Sequence, residues 1–298
     1  MSYSRYGLPT LYLAIILLAL TGLFAKLIPL DAISIIQLRS IVAAVGIASF
    51  TALQKRSLKL SGGIRAYAGV YILGLLLGLH WVTFFHAMQI SSVAVGMLAM
   101  FTFPVITILL EPLFTNSKIN AGGMSAGFIV LAGLAITAAS DLTDLQKPIT
   151  LGVLFGVFSA LLFALRNLFQ KYCFDKEASD GLIFHQVVAI TLMLSLYVDY
   201  PRVQTLEAAS IINILLLGIL STAAAHTLLA FSLKHLPAKS VALVQCLQPL
   251  IAAVLAWYVV GETPGFSVLL GGSVILSVAA YESIQRALIQ SPEIQLRN

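Results

Sequence analysis

Residues 93–127 read VAVGMLAMFTFPVITILLEPLFTNSKINAGGMSAG, and residues 238–272 read AKSVALVQCLQPLIAAVLAWYVVGETPGFSVLLGG. Each stretch is an apolar run with an internal proline, a short polar turn, then a second apolar run with small residues. Pro104 and Pro249 stand 145 residues apart, and Leu98/Leu243, Ile106/Ile251, Leu110/Leu255 and Gly127/Gly272 keep that offset. A proline inside a long helix removes a backbone hydrogen bond. In a bilayer such a break is tolerated where the freed carbonyl lines a cavity or meets a neighbour. Matched breaks in two halves point to a transporter's binding site. Pro104 and Pro249 are therefore expected to flank a central cavity, in a gating or coupling role.

Working outward, the offset persists through Gly7/Gly152, Leu20/Leu165, Leu23/Leu168, Phe24/Phe169 and Lys26/Lys171. The chain of 298 residues is 59% hydrophobic and 10% charged, against about 25% charged in an ordinary soluble domain. Its mean hydropathy is +0.99. A charged shell for this chain does not exist, so lipid must solvate most of its surface. The net charge of +5 does not indicate nucleic acid, because the positive residues fall in short loops where they set topology. The two cysteines, Cys173 and Cys246, build neither a disulfide framework nor a metal site. The apolar run at 8–28 is too long for a signal-peptide core and reads as a retained first membrane helix.

Spanning needs about 20 apolar residues. Ten segments qualify: 8–28, 32–53, 64–88, 92–114, 121–139, 149–172, 182–200, 208–233, 238–260 and 265–283. With the N-terminus inside, inner segments carry twelve lysines and arginines and outer loops only Lys26, Lys147 and Arg202. That bias puts both termini in the cytoplasm. Five spans per half is odd, so the halves enter the membrane in opposite senses, which places a substrate site at their interface. The expected protein is an all-α integral membrane protein of ten transmembrane helices in two inverted five-helix repeats. The repeats occupy residues 1–145 and 146–285, with a cytoplasmic tail at 286–298. Glycine pairs at 74/78, 123/127 and 152/156 read as close-packing sites between helices. There is no Gly-rich loop leading to Lys-Ser/Thr, and so no nucleotide-driven pump.

Ionisable groups within a span are costly and default to function. Arg166 sits halfway along its span beside Asn167 and near Gln170, while the repeat mates Thr21, Gly22 and Ala25 are uncharged. One reading makes Arg166 a cationic anchor for a carboxylate or phosphate, which guanidinium pairs bidentately. The other satisfies it by an internal salt bridge or by snorkelling. Gln245 and Gln248 share a helix face just before Pro249, and their mates are Met100 and Phe103. A cavity with an amide-rich wall from the second half and an apolar wall from the first is expected, suited to an amphipathic ligand. His80, Trp81 and Phe84 lie on one helix, and His226 is the mate of Trp81. Either the histidines are held by carbonyls or they relay protons. His86, His185 and His235 are weaker candidates, and no spacing suits a metal. Glu111, near the end of its helix, either carries a proton or pairs with a lysine.

The stretches LTGLFAK at 20–26, LRS at 38–40, AMQISSVAVGMLAMFTFPVITILLEPLF at 87–114 and SLKHLPAKSVALVQCLQPLIAAVLAWYVVGETP at 232–264 resemble the drug/metabolite transporter superfamily, in its EamA-like branch. The resemblance covers nearly the whole chain. It departs at Ser117, which stands where the second half has Glu262, and at TG in place of WG in the first helix. It implies a multispecific carrier or exporter of small amphipathic metabolites, working by alternating access without ATP, cofactor or metal. Arg39 matches an arginine of the family pattern, which suggests a role at a gate. The function expected is secondary transport of amino acids or related organic anions, outward, across the inner membrane, by a monomer or homodimer. The competing class is a membrane-embedded enzyme acting on a lipid or isoprenoid. It would need clustered acids or a nucleophile, and among the acids only Glu111 falls clearly within a span.

Overall fold

A computed structural model describes residues 7–115, 121–137, 147–174, 176–235, 245 and 247–289. Among these the secondary structure is helical, with no strand. The first half comprises α1 (Gly7–Leu27), α2 (Ala32–Leu53), α3 (Gly63–Ile90), a broken column of α4 (Val93–Met100), α5 (Phe103–Leu110) and α6 (Pro112–Thr115), and α7 (Ala121–Thr137). The second comprises α8 (Pro148–Cys173), α9 (Ser179–Leu194), α10 (Tyr200–Gln204), α11 (Ala208–Leu216), a π-helical segment (Leu217–Ala224), α12 (Ala225–His235), α13 (Gln248–Val260) and α14 (Phe266–Ile289). Ser117, Leu243 and Cys246, and four of the twelve inner lysines and arginines (Arg5, Lys118, Lys239 and Arg297), lie outside the described residues.

Local chemistry sets the boundaries. Asp31 caps α2, accepting from the Ser34 amide at 3.0 Å, and the Ser92 hydroxyl caps α4 through the Val95 amide. Pro104, Pro148 and Pro249 sit in the first turns of α5, α8 and α13, where the missing N–H costs nothing. Gly261 ends α13 at φ +70°, a left-handed cap that glycine adopts without strain.

Among the described residues, six helical stretches are long and apolar enough to cross a membrane: Gly7–Leu27, Ala32–Leu53, Gly63–Ile90, Val93–Thr115, Pro148–Cys173 and Ala208–Leu229. Gly127–Thr137, Ser179–Leu194, Gln248–Val260 and Phe266–Val278 are shorter apolar helices. Large apolar side chains such as Leu13, Val45, Ile72, Leu131, Phe158 and Val254 point outward. An exterior of this kind needs lipid; the chain is a multi-pass membrane protein.

The expected span at 182–200 is shorter: α9 stops at Leu194, and Pro201 belongs to the separate turn of α10, capped by Asp199. Sixteen residues rise about 24 Å, and the exposed Tyr197 and Tyr200 extend the segment as interfacial aromatics. The expected tail at 286–298 begins inside α14, which runs to Ile289. The expected span at 208–233 is not a plain α-helix but carries the π-helical segment.

The halves exchange packing partners. α3 lies on α8, while α12 and the π segment lie on α1. Likewise α3 meets α9 as the π segment meets α2, and α4 and α5 meet α8 as α13 meets α1. α2 meets α9, α4 meets α13 and α7 meets α14 across the divide. Small residues permit this. A Cβ at Gly152 would strike Ser91, and one at Gly156 would strike Ala99, so α8 touches α3 and α4 almost backbone to backbone. The main core gathers Phe24, Ile35, Phe85, Met97, Ile190 and Leu217, and a second cluster around Leu98, Val105, Val130 and Ile275 joins α4, α5, α7 and α14.

Candidate functional site: a central cavity

The two breaks flank one cavity of about 580 Å³ between the halves. Met100, Phe101 and Phe103 enter it from the α4–α5 break, and Gln245 and Gln248 from the residues before Pro249. Pro104 and Pro249 do not line it; they start the helices that follow. α3 contributes His80, Trp81 and Phe84, α8 contributes Arg166, Asn167 and Gln170, and α12 contributes His226. The eleven side chains expected to meet substrate thus line a single space. The cavity runs on to Phe174, Glu177 and Ser179 at the α8–α9 turn, which forms its mouth.

Arg166 is 7% exposed. Its Nε and Nη2 donate to Gln186 Oε1 at 2.9 and 2.6 Å, and its Nη1 donates to Asn167 Oδ1 at 2.9 Å. Gln186 Nε2 in turn donates to Gln170 Oε1 at 3.0 Å. These partners are neutral amides. They hold the guanidinium in place and leave its charge uncancelled. The internal salt bridge is not what forms among the described residues. Gln186, fully buried on α9, escaped the sequence reading, although a lone amide in the apolar run IFHQVVAI was signal enough.

Arg39 is 2% exposed and also lines the cavity. Its Nε donates to Thr222 Oγ1 at 3.1 Å, and its guanidinium carbon lies 4.1 Å above the Trp81 ring and 5.4 Å from that of Phe85. Thr222 belongs to the π segment, where the altered helical register presents it to α2. A Cβ at Gly218 would strike Val42, so these two elements are in close contact. π-Bulges recur at functional sites for this reason: they re-aim side chains.

The histidines are held in defined tautomers. The Ser159 hydroxyl donates to the His80 carbonyl at 2.9 Å, so the 2.7 Å contact between Ser159 Oγ and His80 Nδ1 assigns the proton to Nδ1. His226 Nδ1 faces the Thr222 carbonyl at 3.1 Å and is a donor as well. Each keeps Nε2 as an acceptor. His185 meets the Leu58 carbonyl and His86 packs against Phe155, both away from the cavity; the side chain of His235 lies outside what is described.

An aromatic ladder closes one side. His80 stacks with Phe84 at 6.0 Å and meets Phe163 at 4.7 Å; Phe163 meets Phe103 at 5.0 Å, and Phe103 meets Phe101 at 5.8 Å. The division into a polar second-half wall and an apolar first-half wall is only approximate. Arg39 and His80 bring polarity from the first half, and Phe163 brings apolar surface from the second, because neighbouring columns from both halves alternate around the space. Glu111 lies outside the cavity lining. It accepts from Lys171 Nζ and Tyr172 Oη, each at 2.8 Å, which realises the lysine pairing.

A multi-pass helical protein with one polar–aromatic cavity between its broken columns belongs, by class, to the solute transporters. The chain belongs to the EamA-like transporter family, whose model matches residues 5–139 and 150–281, one match per half. It is similar to an uncharacterized transporter of Archaeoglobus fulgidus, 22% identical with 92% of this chain and 94% of that one covered. It is also similar to the uncharacterized transporter YxxF of Bacillus subtilis, 23% identical over 72% of this chain and 68% of that one. The S-adenosylmethionine uptake transporter of Rickettsia felis is 25% identical over 71% and 70%. A solved crystal structure shares the fold with a TM-score of 0.64 at 12% identity, covering 96% of this chain and 99% of that one. Family and relatives are transporters rather than enzymes, which removes the lipid-enzyme alternative.

Proposed function

We propose that the protein is a secondary transporter of small amphipathic metabolites bearing a carboxylate, amino acids or related organic anions, moved outward by alternating access. The observation that carries this reading is the buried Arg166 guanidinium, tethered by Gln186 and Asn167 but not neutralised, beside an aromatic wall in the same cavity. The amides supply geometry, the arginine supplies charge, and the rings accept an apolar body.

Ten crossings in two inverted repeats support alternating access, with the exchanged packing of the halves as the structural correlate. The mouth at Glu177 adjoins the 54–62 loop, which carries Lys55, Arg56 and Lys59; by the charge bias this end is cytoplasmic, as are both termini. At the opposite end an ion pair between Lys26 and Glu262 ties α1 to the turn after α13. The conformation is then the inward-open stage of the cycle, across the inner membrane. Export follows from the family resemblance. A second reading, uptake of S-adenosylmethionine, is favoured by the relatives that bear that name; its carboxylate would suit Arg166 as an amino acid's does, while its sulfonium adds a second cation beside the ammonium in a cavity that holds two arginines.

The test is binding to detergent-purified protein. Arg166→Lys keeps the charge and loses the bidentate fork. It is expected to weaken carboxylate ligands by tenfold or so and to spare their neutral amide analogues. Equal loss for both, with the protein still folded, would assign Arg166 to structure. Uptake into inside-out against right-side-out vesicles reads the direction.

A further inference from the structure

Arg39, which the family resemblance places at a gate, lines the cavity, and its anchoring is incomplete. Nε is satisfied by Thr222, and the ring of Trp81 covers one face of the guanidinium, but Nη1 is buried without a hydrogen-bond partner among the described residues. A cation stacked on an aromatic face keeps its full charge and its in-plane donors. A buried donor left without an acceptor is costly in a native structure unless something meets it.

The local charges do not supply that acceptor. Among the residues lining the cavity the acid is Glu177, at the mouth, and its carboxylate is taken by the Ser61 amide and hydroxyl and the Gly62 amide at 2.7–2.8 Å. Lys171, also at the mouth, is paired with Glu111. Among the described residues the interior therefore holds two fixed guanidinium charges, Arg39 from α2 and Arg166 from α8, each tied to an uncharged partner on another helical element.

We propose that Arg39 is a second anion subsite and that the ligand is an organic dianion with an apolar body, such as an aromatic dicarboxylate. This deepens the carboxylate reading above and rests on it. One anionic group meets the fork of Arg166. The second meets the guanidinium of Arg39, held in place by Thr222 and Trp81, and the body lies along the Phe84–Phe163–Phe103 wall. Two arginines from different halves of the chain then both contact one ligand, so a dianion bridges the elements that must move relative to each other, as a singly charged ligand does not.

The experiment measures affinities of the detergent-purified full chain for phenylsuccinate, its half-amide and its diamide. Wild type is expected to bind the diacid roughly tenfold or more tighter than the half-amide. Arg39→Gln is expected to reduce that ratio to near one while the diamide binds as before. If Arg39→Gln does not fold, Thr222→Val keeps the arginine, frees its Nε, and is expected to shrink the ratio by a few-fold. A diacid preference that survives both substitutions overturns the second subsite and leaves the Arg166 reading standing. A wild-type protein that binds diacid, half-amide and diamide alike overturns the carboxylate reading itself, and the second subsite with it.

Discussion

Lys26 Nζ lies 3.0 Å from Glu262 Oε1, joining the end of α1 to the turn after α13. Lys26 also reaches the Gln89 and Ser91 carbonyls at the end of α3, and Glu262 Oε2 accepts from the Val93 amide at the start of α4. A cation on terminal carbonyls and an anion on a helix N-terminus each complement the local dipole. The counterpart of Lys26 at the 145-residue offset, Lys171, makes the same kind of pair with Glu111, 2.8 Å away, at the other end of the bundle. In both pairs a lysine closing the first helix of one half binds a glutamate near the end of the fourth column of the other half. The glutamates themselves are not at matched positions, since the mate of Glu262 is Ser117 and that of Glu111 is Ala256.

Glu262→Gln should therefore lower thermal stability by a few degrees and not more, because both partners are about one-fifth exposed and a pair of this kind contributes on the order of 1 kcal/mol. The charge-reversed double variant Lys26→Glu/Glu262→Lys should recover only part of the loss, since a lysine at 262 cannot accept from the Val93 amide. Full recovery in a melting curve would show that the pair acts by charge alone.

Gln186→Glu should convert the amide tether of Arg166 into a bidentate ion pair. With the guanidinium charge cancelled, carboxylate affinity should fall by at least tenfold while neutral analogues keep theirs. Isothermal titration of both ligand types reads the contrast. Unchanged carboxylate binding would mean that the arginine does not meet the ligand.

Topology is open to labelling. With Cys173 and Cys246 replaced by serine, a cysteine at Lys147 should react with an impermeant maleimide from outside the cell, and one at Lys59 should not. The reverse pattern would invert the assignment of the mouth to the cytoplasm.

The Glu177 carboxyl is held below the usual carboxylate range chiefly by the Ser61 amide, against desolvation, with the Ser61 hydroxyl and the Gly62 amide adding to the lowering. A depressed carboxylate stabilises the folded arrangement above its unfolded value of about 4.3 and loses that contribution as pH falls through the folded value. The 54–62 loop should accordingly loosen at acid pH, seen as lower protection factors at the Ser61 and Gly62 amides once the intrinsic exchange rate at each pH is divided out, and Glu177→Gln should make those protection factors independent of pH.

The sequence by itself determined the membrane class, the two halves and the neighbourhood of the site. Hydrophobic length, loop charge and a repeated proline are local properties, and the bilayer permits few architectures for them. Thus Met100, Phe103, Gln245 and Gln248 were legible beside their breaks, and Arg166 from the rarity of charge within spans. Partners were decided only by the tertiary structure. Gln186 lies 20 residues from Arg166 and Thr222 lies 183 from Arg39, and no periodicity links them. Whether a buried arginine is neutralised by an acid, tethered by an amide or laid on a tryptophan depends on which helix faces it. That follows from small residues such as Gly156 and Gly218 letting particular backbones approach, and from a π-helical register that turns Thr222 toward α2. The charge was visible in one dimension; its being tethered by uncharged partners is a property of the packed bundle.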